Sequence, residues 1–121
     1  MEITESQFGD AVLLMPVGRV DQSTAPAFQS AMLEVVGKRG AVVVVDFSNI
    51  PYISSVGLRA LMIAAKQGKV AKVPLAVVGL TSEVNEVFEI SRFNFVVDIF
   101  DTVEAALTAL SSDAASAYAA R

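Results

Sequence analysis

Neither cysteine nor histidine occurs anywhere in the 121 residues. Without cysteine there is no disulfide, no thiolate nucleophile and no cysteine-type metal site. Without histidine the commonest general base and the commonest metal ligand are both missing. Ser-His-Asp and Cys-His chemistry therefore cannot be assembled, and no metal site is expected. Basic charge is scarce too. Nine Lys and Arg against thirteen Asp and Glu leave a net charge of −4, the wrong sign for neutralising a nucleic-acid backbone. Long apolar runs are lacking as well, and AVVVV at 41–45 is far too short to span a bilayer. No GxxxxGK[ST] or GxGxxG phosphate loop is present, so an enzyme or nucleotide binder on a small α/β fold is disfavoured, and no cofactor is expected. The N-terminal MEITESQFGD lacks the basic start and apolar centre of a secretory signal, so a cytoplasmic location is expected.

The chain does have apolar content, 54 % of its residues, enough for the core of one domain. Residues 2–8 and 11–17 read as strands joined by a Gly9-Asp10 hairpin turn, with Pro16 expected at an edge or bulge. Asp21 or Ser23 is placed to cap a helix whose Phe28, Ala31, Met32 and Val35 recur at helical spacing. Pro26 falls in its first turn, Gly37 ends it, and Lys38 and Arg39 suit its negative end. The run at 41–47 is the pattern of a strand covered on both faces. Further strands are expected at 73–80 and 95–100, with helices at 54–68, 82–91 and 103–112. Helices between strands imply parallel pairing. The expected fold is α/β, a mixed, mostly parallel sheet with an N-terminal antiparallel hairpin and about four helices over residues 1–112. The Ala-rich tail at 113–121 is expected to be frayed or disordered.

The junction IPYISSVGLRAL at 50–61 carries adjacent serines where a helix begins. A helix N-terminus has unpaired N–H groups and partial positive charge, and serine is a favoured cap. Capping explains Ser54. It leaves Ser55 at the first helical position, free to face solvent. On a helical projection Leu58, Leu61, Met62 and Ala65 form a core face, while Val56, Ala60, Ile63 and Gln67 lie roughly opposite, with Arg59 and Lys66 between. The apolar residues on the far side signify either a helix buried on two sides, scattered exposed apolars, or a partner-docking strip beginning beside Ser55. At the lip of such a strip a phosphate on Ser55 would place about −1.5 to −2 charge in the interface without unfolding the domain.

GRVDQSTAPAF, VVVVDFSNIPYISSVGLRAL and VPLAVVGLTSEVNEVFEISRFN, in this order, resemble the STAS domain, and more narrowly the bacterial anti-sigma factor antagonists, over residues 2 to about 110. In that family the junction typically reads Asp-Ser-Ser/Thr-Gly-Leu, with the serine after the Asp phosphorylated. Ser54 stands here at the Asp position, Ser55 at the acceptor position and Val56 at the second hydroxyl position, while Gly57-Leu58 match. The resemblance implies phosphorylation at Ser55, with Ser54 as the alternative. It implies that the unphosphorylated chain binds a serine-kinase anti-sigma factor and frees a sigma factor, and that a PP2C-type phosphatase resets the switch. It places partner binding on Asp21, Ser54, Ser55, Val56, Gly57, Arg59, Ala60 and Ile63. Asp21 and Asp46 match acidic positions of the family and form an acidic rim, unless they serve only as cap and turn residues. A STAS scaffold or transporter-associated subunit without phosphorylation is the alternative.

Overall fold

The computed structural model describes residues 1–38 and 42–121, the Lys38 side chain excepted. Arg39 and Ala41, expected at a helix end and a strand start, and the side chain of Lys38, lie outside the described residues. In chain order the elements are β1 (Glu2–Phe8), β2 (Ala11–Val17), α1 (Ala25–Lys38), β3 (Val42–Asp46), α2 (Ser55–Ala71), β4 (Leu75–Val78), α3 (Ser82–Ile90), a 3-10 turn (Phe93–Phe95), β5 (Asp98–Phe100), α4 (Val103–Leu110) and α5 (Ser112–Ala119). The five strands stand side by side in sequence order. β1 and β2 are antiparallel and every other pair is parallel. The expected mixed sheet is thus present, with five helices among the described residues.

Period-two alternation divides the β-branched runs between two cores. Val12 and Leu14 of β2 and Val43 and Val45 of β3 face one side of the sheet, where α1, α2 and α3 supply Phe28, Met32, Leu61 and Phe88. Ala11, Leu13, Val42 and Val44 face the other, against Val103, Ala106 and Leu107 of α4 and Ala114 of α5. Both faces of β2 and β3 are covered, which is why these strands read as unbroken apolar runs. Pro16 pairs with Ile3 of β1, but β3 reaches only to Leu14, so its missing N–H interrupts no ladder on that side.

Three expectations are corrected. The last strand, expected over 95–100, spans only Asp98–Phe100. The chain instead turns at 93–95 to bury Phe93 against Phe88, 5.3 Å between ring centroids, leaving Phe95 78 % exposed. The helix α2 continues past Gly68 to Ala71, and Lys72 at φ 60° closes it by donating its N–H to the Gly68 and Lys69 carbonyls. The tail is not frayed. Ser111 caps α5 by accepting from the Ala114 N–H, Ala114 is fully buried, and Tyr118 packs edge-to-face on Phe8 of β1 at 5.0 Å. Its small residues let a short helix lie close on the sheet, which an amphipathic pattern of large residues would have signalled more plainly. Among the described residues no helix is long and apolar enough to cross a membrane.

Candidate functional site

The parallel strands β2 and β3 both end at one edge of the sheet, and the chain leaving each is tied to the other. Gly18 donates its N–H to the Asn49 carbonyl at 3.0 Å, Val20 to Tyr52 at 2.9 Å, and Ser54 to Val20 at 2.8 Å. Val20 and Ile53 form an isolated parallel bridge. The loop leading into α2 is also held from the far side, where the Thr81 hydroxyl donates to the Ile50 carbonyl at 3.3 Å. The start of α2 is therefore fixed by both neighbouring connections.

Ser54 is the N-cap, in extended conformation (φ −86°, ψ 172°), and its hydroxyl accepts from the Gly57 N–H at 3.2 Å. Its N–H goes to Val20 and its carbonyl accepts from Leu58 at 2.9 Å, so every polar group of Ser54 is engaged. Ser55, the first residue of α2, is exposed, and its hydroxyl has no hydrogen-bond partner among the described residues. The two serines differ in kind. One is built into the helix start, and the other presents a free hydroxyl beside it.

Beyond Ser55 the outer face of α2 carries Val56 at 45 % and Ile63 at 39 % exposure, with Arg59 exposed between them. Two residues expected on this strip are not there. Ala60 is 2 % exposed and belongs to the core, because α1 and α2 pack together along that side. Gly57 is buried too: a Cβ on it would lie 2.7 Å from Cγ1 of both Val20 and Ile53. Its role is close packing of the loop under the helix start. On the expected core face Leu58, Leu61 and Ala65 are buried and Met62 is partly so.

Asp21 and Asp46 sit just past β2 and at the end of β3, on the edge that Ser55 occupies. The Asp21 carboxylate accepts from the Ser23 hydroxyl at 2.7 Å and from the N–H groups of Ser23 and Thr24 at 3.0 and 3.3 Å. The Ser23 hydroxyl foremost, then the Ser23 N–H, holds its pKa below the usual value, with burial opposing. The Asp21 carbonyl also accepts from the N–H of Ala25, the first residue of α1, at 2.8 Å, so Asp21 shapes the turn that leads into α1. Asp46 likewise accepts from the Ser48 N–H at 2.9 Å. Both carboxylates have turn-forming work, and among the described residues no cluster of three or more possible metal ligands exists.

The structure adds residues that spacing alone did not reveal. A groove of about 290 Å³ runs between α1 and α2, lined by Gln22, Pro26 and Gln29 as well as Val56 and Arg59. Arg19 stacks over the Tyr52 ring at 4.2 Å, a pair 33 positions apart that only the loop pairing brings together. The site is a surface of apolar, hydroxyl and charged groups on a rigid frame, suited to binding a macromolecule.

The model of the STAS domain matches residues 3–106. BtrV of Bordetella bronchiseptica, which bears the name of an anti-sigma factor antagonist, is 30 % identical over 112 residues, 93 % of this chain and 97 % of that one. Among solved structures, one from Thermotoga maritima that carries the same name matches with a TM-score of 0.83 at 20 % identity, over 89 % of this chain and 93 % of that one. The Bacillus cell fate determinant SpoIIAA, solved in its phosphorylated form, matches with 0.67 at 11 % identity, over 89 % of this chain and 98 % of that one. At these identities the solved structures establish the fold.

Proposed function

The chain belongs to the STAS domain family, and on that premise we propose that it is an anti-sigma factor antagonist whose hold on its partner is switched at Ser55. The unphosphorylated chain binds a serine-kinase anti-sigma factor through Val56, Arg59 and Ile63, with Asp21 and the α1 side of the groove as its border, and a sigma factor is freed. The kinase transfers the γ-phosphoryl group of its own ATP to the Ser55 hydroxyl, whose proton is lost, and ADP leaves. A PP2C-type phosphatase returns the serine. ATP and metal belong to those partners.

The observation that carries the reading is the contrast between the serines. Ser54 spends its hydroxyl on the Gly57 N–H, whereas the exposed Ser55 hydroxyl is unengaged and adjoins the exposed Val56. A phosphate there lies near the unpaired N–H groups of the first turn, which tolerate an anion. In the interface it meets a partner shaped for a small neutral group, and misplaced charge costs several kcal/mol. Binding is lost while the fold remains. The relatives' names, and the phosphorylated state in which SpoIIAA was solved, support the same reading.

The test is incubation with a candidate serine-kinase anti-sigma factor and ATP, followed by phosphosite mapping. Phosphate is expected at Ser55. Ser55→Ala should bind and resist release, and Ser55→Asp should bind at least ~100-fold more weakly. Phosphate at Ser54 alone, or wild-type binding by both variants, sinks the proposal.

A further inference from the structure

The three most exposed large apolar residues are Phe95 at 78 %, Ile90 at 78 % and Val70 at 77 %. They lie at one end of the molecule, where α2 and α3 finish and the 3-10 turn follows. This end is remote from Ser55, since fifteen residues of helix separate Ser55 from Val70, about 22 Å at 1.5 Å per residue. The Phe95 side of α2 also lines a groove with Lys66 and Lys69. Charge around the patch is divided by helix. No acidic residue occurs in α2, whereas α3 carries Glu83, Glu86 and Glu89 and no basic residue.

The two helices share a pattern. On α2 the exposed Lys66 precedes the exposed Val70 by four residues, and on α3 the exposed Glu86 precedes the exposed Ile90 by four. Residues four apart lie on one helix face. Both helices pack on the same side of the sheet. Each connects parallel neighbouring strands, so both run in the same direction. A two-fold axis parallel to them, lying in the contact plane between them, lays α2 of one copy along α3 of the other with direction preserved. Val70 then meets Ile90 of the second copy, Lys66 meets Glu86, and the same contacts repeat by symmetry around Phe95. A wholly acidic partner would be repelled by α3 and a wholly basic one by α2, whereas a second copy satisfies both.

We infer that this face is a self-complementary docking surface for a second copy of the chain, forming a closed two-fold dimer that leaves Ser55 and Val56 open and covers Ile63, which shares the outer face of α2 with Lys66 and Val70. The inference does not rest on the Ser55 reading, and its test uses the chain alone.

Sedimentation and light scattering over about 1–200 µM, the range of modest interfaces, should show mass rising toward twice 12.8 kDa. Lys66→Glu and Glu86→Lys should each be monomeric throughout that range, because each variant sets like charges against one another. Mixed in equal amounts they should dimerise again, since each supplies the charge the other has lost. Phe95→Ser should weaken the dimer at least tenfold, and Val56→Ser should leave it unchanged. A wild-type chain that stays monomeric at 200 µM overturns the inference, as do charge variants that still dimerise alone or fail to dimerise when mixed.

Discussion

Val20 and Gly57 stand so close that a methyl group on Gly57 would lie 2.7 Å from Val20 Cγ1. Val20 belongs to the connection after β2 and Gly57 to the first turn of α2, 37 positions later. Their contact, with the Ser54 N–H bonded to the Val20 carbonyl directly above it, makes the edge that carries Ser55 a rigid unit. The switch proposed at Ser55 would gain from such fixed placement, because little ordering would remain to be done on binding.

Gly57→Ala should therefore destabilise the fold by about 1–2 kcal/mol, the overpacking cost less the gain in helix propensity. The β-branched Val20 and the buried Ile53 on the other side leave the methyl group nowhere to go. Gly37→Ala is the contrast. Its Cβ would meet nothing within 4 Å, and a helical glycine replaced by alanine should gain about 0.5 kcal/mol. Urea unfolding of the two variants beside wild type reads both signs, and a Gly57→Ala chain as stable as wild type would refute the packing argument.

Ser54→Ala should cost about 1 kcal/mol through loss of the cap to the Gly57 N–H. Ser54→Asp should fall within a few tenths of wild type, because aspartate caps equally well. The measurement is the denaturation midpoint at unchanged slope. Equal losses in the two variants would mean that the cap bond contributes nothing.

Ser55 should behave differently. Its hydroxyl bonds to nothing among the described residues, so Ser55→Ala should change stability by less than about 0.5 kcal/mol. Ser55→Asp should be neutral or more stable by up to about 1 kcal/mol, since it adds negative charge to the helix N-terminus. Thermal unfolding checks both. A Ser55→Asp variant that loses several kcal/mol would tie any binding defect to misfolding and remove the basis of a switch.

The Asp21 carboxyl should titrate below the ordinary carboxylate range in the folded chain, because the Ser23 hydroxyl and N–H stabilise its anion. A depressed folded-state pKa contributes stability that is present above the unfolded pKa and lost as pH falls through the folded value. Ser23→Ala removes the largest cause, so the Asp21 midpoint should move up toward the ordinary range. A carboxyl-detected NMR titration of both chains decides it, and an Asp21 midpoint indifferent to Ser23→Ala would overturn the assignment.

Much of this was legible from periodicity. The two N-terminal strands, the Ser54 cap and the burial of Leu58, Leu61 and Ala65 follow from patterns of two and 3.6, because both depend on neighbours in sequence. Ala60 shows where that reading stops. A wheel gives angles but not which angles a second helix will cover, and α1 covers the flank on which Ala60 lies. The Arg19–Tyr52 stack and the α1 wall of the groove escaped for the same reason, since loop pairing between distant segments creates them. Phe95 heads the apolar run 95–97, as a strand residue would. The chain turned there to seat Phe93 in the core.

The tail gives the last test. With few large residues, 112–119 has little of its own to bury, yet Tyr118 sets its ring edge-to-face on Phe8 at 5.0 Å and Ala114 is sealed against the second core. The fit is close: a Cβ on Gly9 would come within 3.2 Å of the Ala114 backbone. An aromatic pair of this kind adds about 0.5–1.5 kcal/mol to the area that it buries, so Tyr118→Ala should destabilise the domain by about 1–3 kcal/mol, with the loss reduced because Tyr118 is only partly covered. Ending the chain after Ser111 should cost at least as much and should expose Phe8 to solvent. Both losses are expected in one cooperative transition, because α5 lies on the same core as α4. A truncated chain with wild-type stability would show that the helix rests on the sheet without holding it.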